Sequence, residues 1–269
     1  MSNNQTLEDM DGADSSRFII LWGPPGGGKT ILAHCFPRTR TLDLDQGMSS
    51  VLWAIKAGII DKKPEEIVYR TVVERSIEKG HVTKSTALDE CTDILDEWAE
   101  ELDEFDTIVV DSGTTLTDYV INSGLDQNAV LGMSKSKADS KRAGGMRVMR
   151  QQDWGGASSL FQDMFNWLRG SDFEDKTIIL ICHEYELKTD AGNVKKLLPL
   201  LIGQLRQRIP KDFGEVYHFS VRGTKDKPEY VMQTAKDALH DCKSRYGCLP
   251  AVMPTDYNLW RKTIDEFWK

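Results

Sequence analysis

Residues 23–30 read Gly-Pro-Pro-Gly-Gly-Gly-Lys-Thr, a complete G-x-x-x-x-G-K-[ST] phosphate loop. This is the feature that most constrains the fold, because such a loop works only between a strand and a helix. The apolar run Phe18–Trp22 supplies the strand, and Thr30–Phe36 a short helix that Pro37 stops. The adjacent Gly26, Gly27 and Gly28 let backbone N–H groups approach an anion with no Cβ in the way. Lys29 can reach the β- and γ-phosphates, Thr30 Oγ can sit on Mg²⁺, and the helix aims the positive end of its dipole at the phosphates. Gly23, Pro24, Pro25 and Ile31 complete the binding segment. The rival reading is a glycine-rich turn that binds nothing.

From Arg17 onward the pattern alternates strand with helix, which implies an α/β fold with a mainly parallel sheet covered on both faces. Expected strands are Thr41–Asp45, Ile67–Val72, Thr107–Asp111, Lys176–Cys182, Val216–Val221 and Tyr230–Met232. Expected helices are Met48–Ile60, Thr86–Phe105, Gly156–Leu168 and Thr255–Trp268. In the second of these, Leu88, Ile94, Leu95, Trp98, Leu102 and Phe105 share one face, and Thr86 with Asp89 suits an N-terminal cap. Its other face is acidic, either a solvated surface or a docking surface for a basic partner. Two stretches, about 122–154 and 184–211, lack periodicity and read as functional loops. The expected division is a disordered acidic leader (1–16), a core (17–233) and a C-terminal helical segment packed on it (234–269).

The rest of a nucleotide site is sought at strand ends. Asp111 follows four apolar or β-branched residues and precedes Ser112, which suits a carboxylate holding Mg²⁺ through water. Asp43 and Asp45 are candidates for activating the attacking water. Asp45 lies further toward the strand's carboxyl end and is preferred, the alternative being a turn-initiating or helix-capping role before Gly47. His183 closes the strand at 176–182, where it could sense the γ-phosphate or merely be solvated.

The order of these residues resembles the RecA-type core of P-loop ATPases: the loop at 23–30, Asp43-x-Asp45, Ile108-Val109-Val110-Asp111-Ser112, then Ile181-Cys182-His183. More narrowly, the chain is similar to the compact AAA-type ATPases of bacteriophages, some of them single-strand annealing or recombination proteins. The segments Gly203–Pro210 and Lys243–Gly247 share that likeness. The resemblance implies ATP and Mg²⁺ as ligands, an added strand between the two nucleotide motifs, a catalytic acid at Asp45 and a sensor at His183. It also implies two DNA-binding loops, which map onto the two irregular stretches.

Charge agrees with that mapping. The net charge is −8, yet Lys135, Lys137, Lys141, Arg142, Arg147 and Arg150 gather in the first stretch, and Lys195, Lys196, Arg206, Arg208 and Lys211 in the second. Solvated loops in an acidic protein are the bland alternative, and Trp154 is the nearby aromatic that could stack on bases. Members of the resembled group act as rings or filaments, so Arg222, Lys225 and Lys227 are candidates for completing a neighbour's site. Together these observations lead to an expected ATPase acting on single-stranded DNA in phage-type recombination, annealing or replication. The alternative is an ATP-dependent switch or loader working on a protein partner through helix 86–105. No apolar run approaches a membrane span, no cysteines pair as C-x-x-C, and a cytoplasmic location is expected, that of the host if the chain is phage-encoded.

Overall fold

The structure, a computed structural model, describes residues 17–75, 77–78, 81–82, 84–130 and 151–269. In chain order the elements are β1 (Phe18–Trp22), α1 (Lys29–His34), β2 (Thr39–Asp43), α2 (Met48–Lys56), β3 (Val68–Thr71), β4 (Ile77–Glu78) and β5 (His81–Val82). Next come α3 (Ala87–Ala99), β6 (Thr107–Asp111), α4 (Gly113–Val130), α5 (Gln151–Leu168), β7 (Thr177–Cys182), β8 (Glu184–Lys188) and β9 (Val194–Pro199). The chain closes with α6 (Leu205–Asp212), β10 (Glu215–Thr224), β11 (Lys227–Gln233), β12 (Val252–Pro254) and α7 (Tyr257–Trp268).

Among the described residues, eight strands form one sheet in the order β12-β11-β10-β1-β7-β6-β2-β3. From β10 to β3 all neighbours are parallel, while β11 and β12 add antiparallel at one edge. This is an α/β fold with a mainly parallel sheet. The strand β7 separates β1 from β6, as the resemblance implies.

Strand alternation divides the core in two. Ile20, Trp22, Ile108, Val110, Ile178 and Leu180 face α3, α4 and α5, meeting Leu95, Leu116 and Phe161. Ile19, Leu21, Val109, Ile179 and Ile181 face the other way, toward Leu32 of α1 and Trp260 and Ile264 of α7. The parallel register sets Trp22 beside Cys182 and His218, Asp111 beside Ile181, and Asp43 beside Asp111. The carboxyl ends of four strands are therefore level, and whatever follows them shares one edge.

Several expected boundaries move. The strand β2 ends at Asp43, two residues early, because Leu44 and Asp45 turn to bond Asp111 O through their N–H groups. The helix α2 stops at Lys56, closed by Gly58 at φ +72°. The helix α3 stops at Ala99, and Leu102–Glu104 is a 3₁₀ turn; Thr86 holds the cap position, but its side chain makes no capping bond. Residues 122–130 belong to α4 and residues from Gln151 to α5, where irregular chain was expected. Residues 184–211 form the β8–β9 hairpin and α6 rather than an irregular loop. The tail carries one helix, α7, and lends β12 to the sheet. The leader 1–16 lies outside the described residues. Among the described residues, no helix is long and apolar enough to cross a membrane.

Candidate functional site

The phosphate loop leaves β1 through Gly23 at φ +143°, where a Cβ would lie 2.3 Å from the carbonyl oxygen of Phe219. No side chain fits there, so the close approach of β10 dictates glycine. Gly28 at φ +91° turns the chain into α1. Lys29 is buried beneath the loop and donates to Gly23 O (2.9 Å) and Pro24 O (2.8 Å). Burial lowers its pKa, against the opposing pull of Asp111.

Thr30 Oγ1 donates to Asp111 Oδ2 at 2.7 Å. Asp111 is 5 % exposed, and burial, with Asp45 and Asp43 nearby, pushes its carboxyl up to about 6 despite the Thr30 bond. A half-buried hydroxyl and a buried carboxylate at a glycine cradle form an oxygen donor set that suits a hard cation such as Mg²⁺. Among the described residues, no cluster of three or more His, Cys, Asp or Glu forms an all-protein cage. None is needed when phosphate and water supply the remaining ligands.

The two candidate acids part company. Asp43 accepts from Gly47 N–H (2.8 Å) and Thr71 Oγ1 (3.1 Å) and is buried. The turn role weighed for Asp45 thus falls to Asp43. Asp45 lies past the strand end, with His183 Nε2 at 3.0 Å from Oδ2 and Thr115 Oγ1 donating to Oδ1. Burial pushes its carboxyl up, but hydrogen bonds from His183, Thr115 and Ser112 outweigh that and hold it below the usual range. His183 N–H donates to Thr114 Oγ1 at 3.0 Å, which fixes the backbone where β7 gives way to β8.

Thr114 and Thr115 are the site residues that sequence reasoning missed. The available signal was the run Ser112-Gly113-Thr114-Thr115 after the strand-end acid, followed by Leu116, Tyr119 and Val120 at helical spacing. A second missed group flanks the loop. Trp22, His218 and His240 lie against one another in succession, with ring centroids 4.4 Å and 4.2 Å apart and the ring planes tilted by 55° and 35°. His218 Nε2 lies 2.7 Å from Glu184 Oε2. Burial, with His240 and Lys29 nearby, drives the His218 imidazole down to about 3, so the pair is a hydrogen bond from a neutral ring rather than an ion pair.

The cations expected at a nucleic acid are only partly visible. Lys135, Lys137, Lys141, Arg142, Arg147 and Arg150 lie outside the described residues. Lys195 and Lys196 sit on β9, and Arg206 and Arg208 on α6. Lys195, Lys196 and Arg206 line a cavity of about 560 Å³ with Lys211, Lys236 and Lys243; Arg208 does not. Asp241 is the acid among the lining residues and binds Lys196 Nζ at 2.7 Å. The Arg206 guanidinium lies 3.8 Å from the centroid of the Tyr185 ring. Trp154 is exposed on α5. Arg222, Lys225 and Lys227 are exposed along and at the tip of the β10–β11 hairpin.

Residues 15–246 match a family described as AAA domain. Solved structures similar to this chain include a KaiC-like protein of the archaeon Pyrococcus horikoshii, at 10% identity and a TM-score of 0.43, covering 81% of this chain and 78% of that one. Another is the flagellar accessory protein FlaH of Methanocaldococcus jannaschii, at 12% identity and a TM-score of 0.39, covering 81% and 77%. No curated protein matches the chain.

Proposed function

The chain belongs to the AAA domain family of P-loop ATPases, and from that premise we propose that it couples Mg²⁺-dependent ATP hydrolysis to single-stranded DNA in phage-type recombination, annealing or replication. The observation that carries the hydrolytic part is the pairing at one sheet edge of Thr30 with Asp111 and of Asp45 with His183. Lys29 and the loop amides bind phosphate, Lys29 exchanging its bonds to Gly23 and Pro24 for phosphate oxygens. Thr30 and Asp111 hold Mg²⁺, which would neutralise charge on the phosphates when bound. Asp45, ionised at neutral pH, orients the attacking water and accepts its proton at Oδ2, while His183 and Thr115 fix the carboxylate.

The basic cavity between β9 and α6 supports the DNA part, with Tyr185 and Arg206 as a stacked pair beside it. Because β8 begins directly after His183, a change at the nucleotide reaches that hairpin through one peptide. Assembly into a ring or filament, with Arg222 or Lys225 reaching a neighbour's phosphates, belongs to the same proposal. The switch reading has less support. Glu90, Glu97, Glu101 and Glu104 of the acidic segment are paired with Arg75, Arg70 and Arg40 of the same chain.

The deciding experiment is phosphate release from Mg-ATP at low salt, with and without single-stranded DNA, using Lys29→Ala as blank. Stimulation by DNA that fades as salt rises is expected. Asp45→Asn should keep nucleotide affinity within about threefold and lose at least about 100-fold in turnover, as removal of a general base does. Turnover indifferent to DNA would transfer the function to a protein partner, and an active Asp45→Asn would remove Asp45 from its role.

A further inference from the structure

Six cations border the cavity between β9, α6 and the 236–243 segment, and one acid, Asp241, stands among them. That acid is placed as a phosphate would be. Lys196 Nζ lies 2.7 Å from each Asp241 oxygen, and Lys236 Nζ lies 3.0 Å from Oδ1. Two anionic oxygens thus bridge two ammonium groups, an arrangement that the non-bridging oxygens of a phosphodiester can reproduce with the same lysines. Among the described residues, Lys195 and Lys211 of the same cavity pair with no acid.

The Asp241 carboxylate is not needed to hold its own segment. Before it, Leu197 N–H donates to Leu239 O at 2.9 Å. After it, Lys243 N–H donates to Val216 O at 3.0 Å and Val216 N–H to Lys243 O at 2.9 Å. The turn leading in is shaped by Asp237, whose Oδ1 accepts from Leu239 N–H and His240 N–H at 2.7 Å each. Backbone bonds on both sides therefore fix where Asp241 stands, and its side chain is left for the lysines. That side chain is 33% exposed and Lys236 is 67% exposed. Ion pairs so open to water add little to stability. Such a pair can be exchanged for another anion of similar geometry without loosening the fold.

We infer that Asp241 is an internal stand-in for a backbone phosphate of single-stranded DNA. It occupies Lys196 and Lys236 in the free protein and yields them to the strand, so it sets how tightly the cavity holds DNA. The inference rests on the reading of this cavity as the DNA path.

Fluorescence anisotropy with a labelled oligothymidylate at low salt tests it. Asp241→Asn should bind the strand at least about fivefold more tightly than wild type, through the two lysines it releases. Asp212→Asn removes the same charge at the end of α6, outside the cavity lining, and should gain less than about twofold. Lys196→Gln should cost less than about twofold while Asp241 is present and at least about threefold in the Asp241→Asn background, the non-additivity of residues that share a partner. Equal gains from the two aspartate substitutions would reduce the effect to net charge and overturn the inference. Unchanged or weaker binding by an Asp241→Asn protein that melts like wild type would overturn it too. Should Asp241→Asn melt early, the lysines decide in the wild-type background. There Lys195→Gln should lose at least about threefold and Lys196→Gln less than about twofold, and equal losses overturn the inference. If neither wild type nor Asp241→Asn binds the strand, the reading of the cavity as the DNA path fails and the inference with it.

Discussion

The role of a side chain here follows from which of its atoms are already spent. Asp43 and Asp45 are two residues apart and chemically identical, yet one carboxylate is consumed by Gly47 and Thr71 and the other faces His183. Strand alternation alone could not separate them, because the strand ends between them. The same logic fixes His34, which is buried in α1 with Nδ1 2.8 Å from Thr30 O and Nε2 3.0 Å from Thr41 Oγ1. The Thr30 carbonyl can only accept, so Nδ1 carries the proton and Nε2 accepts from Thr41, which defines a neutral ring. Burial lowers its pKa from 6.5 to about 4. A depressed histidine contributes stability that is present above pH 6.5 and lost as pH falls through the folded value. Thermal melts between pH 7 and 4 should therefore show wild type losing up to about 3 kcal/mol more than His34→Gln over that window. Parallel curves for the two proteins would exclude His34 as a source of acid sensitivity.

At the scale of elements, the helix α4 shows why the site was only half legible. Its first turn carries the hydroxyls that hold Asp45 and His183, but Gly113, Thr114, Thr115 and Thr117 are poor helix formers and mask it in the sequence. Tertiary packing selects the helix by burying Leu116 and Val120 on the sheet. Gly113 is required by proximity: a Cβ there would meet Leu180 Cδ1 at 2.5 Å and Cys182 Sγ at 3.3 Å. Gly113→Ala should push the first turn of α4 off β7, costing about 1–3 kcal/mol as overpacking does. It should lower turnover more than nucleotide affinity, because Thr114 and Thr115 move while the phosphate loop does not. Urea unfolding together with steady-state kinetics reads both effects, and an unchanged kcat would show that the two threonines are dispensable. The acidic face of α3, by contrast, was legible as a surface, but its internal pairing was not. Arg40, 61 and 64 positions from Glu101 and Glu104, is buried against both and against the Phe105 ring only because β2 passes beside that turn.

At the scale of the whole molecule, an acidic chain concentrates cations around one cavity formed by β9, α6 and the 236–243 segment. Two parts of the sequence meet there, 195–211 and 236–243, and Lys236 and Lys243 join the cations of the first only after folding. Neutralising Lys195, Arg206 and Lys211 together should weaken single-stranded DNA binding and flatten its dependence on log salt by about 2, at roughly 0.7 per lost phosphate contact. ATP turnover without DNA should be unchanged. An unaltered salt slope in fluorescence anisotropy titrations would remove this cavity from the DNA path.

What the sequence determined by itself was whatever depends on local pattern. The glycines and Lys29 of the phosphate loop, the buried strands around it and the acid closing β6 are written in runs of a few residues, where sterics and apolar periodicity act over short range. What only the tertiary structure decided was whatever depends on neighbours distant in the chain. The division of labour between Asp43 and Asp45 and the threonines of α4 are of this kind. Each is set by hydrogen bonds and packing across the sheet edge, and those contacts exist only once parallel pairing has brought the strand ends level.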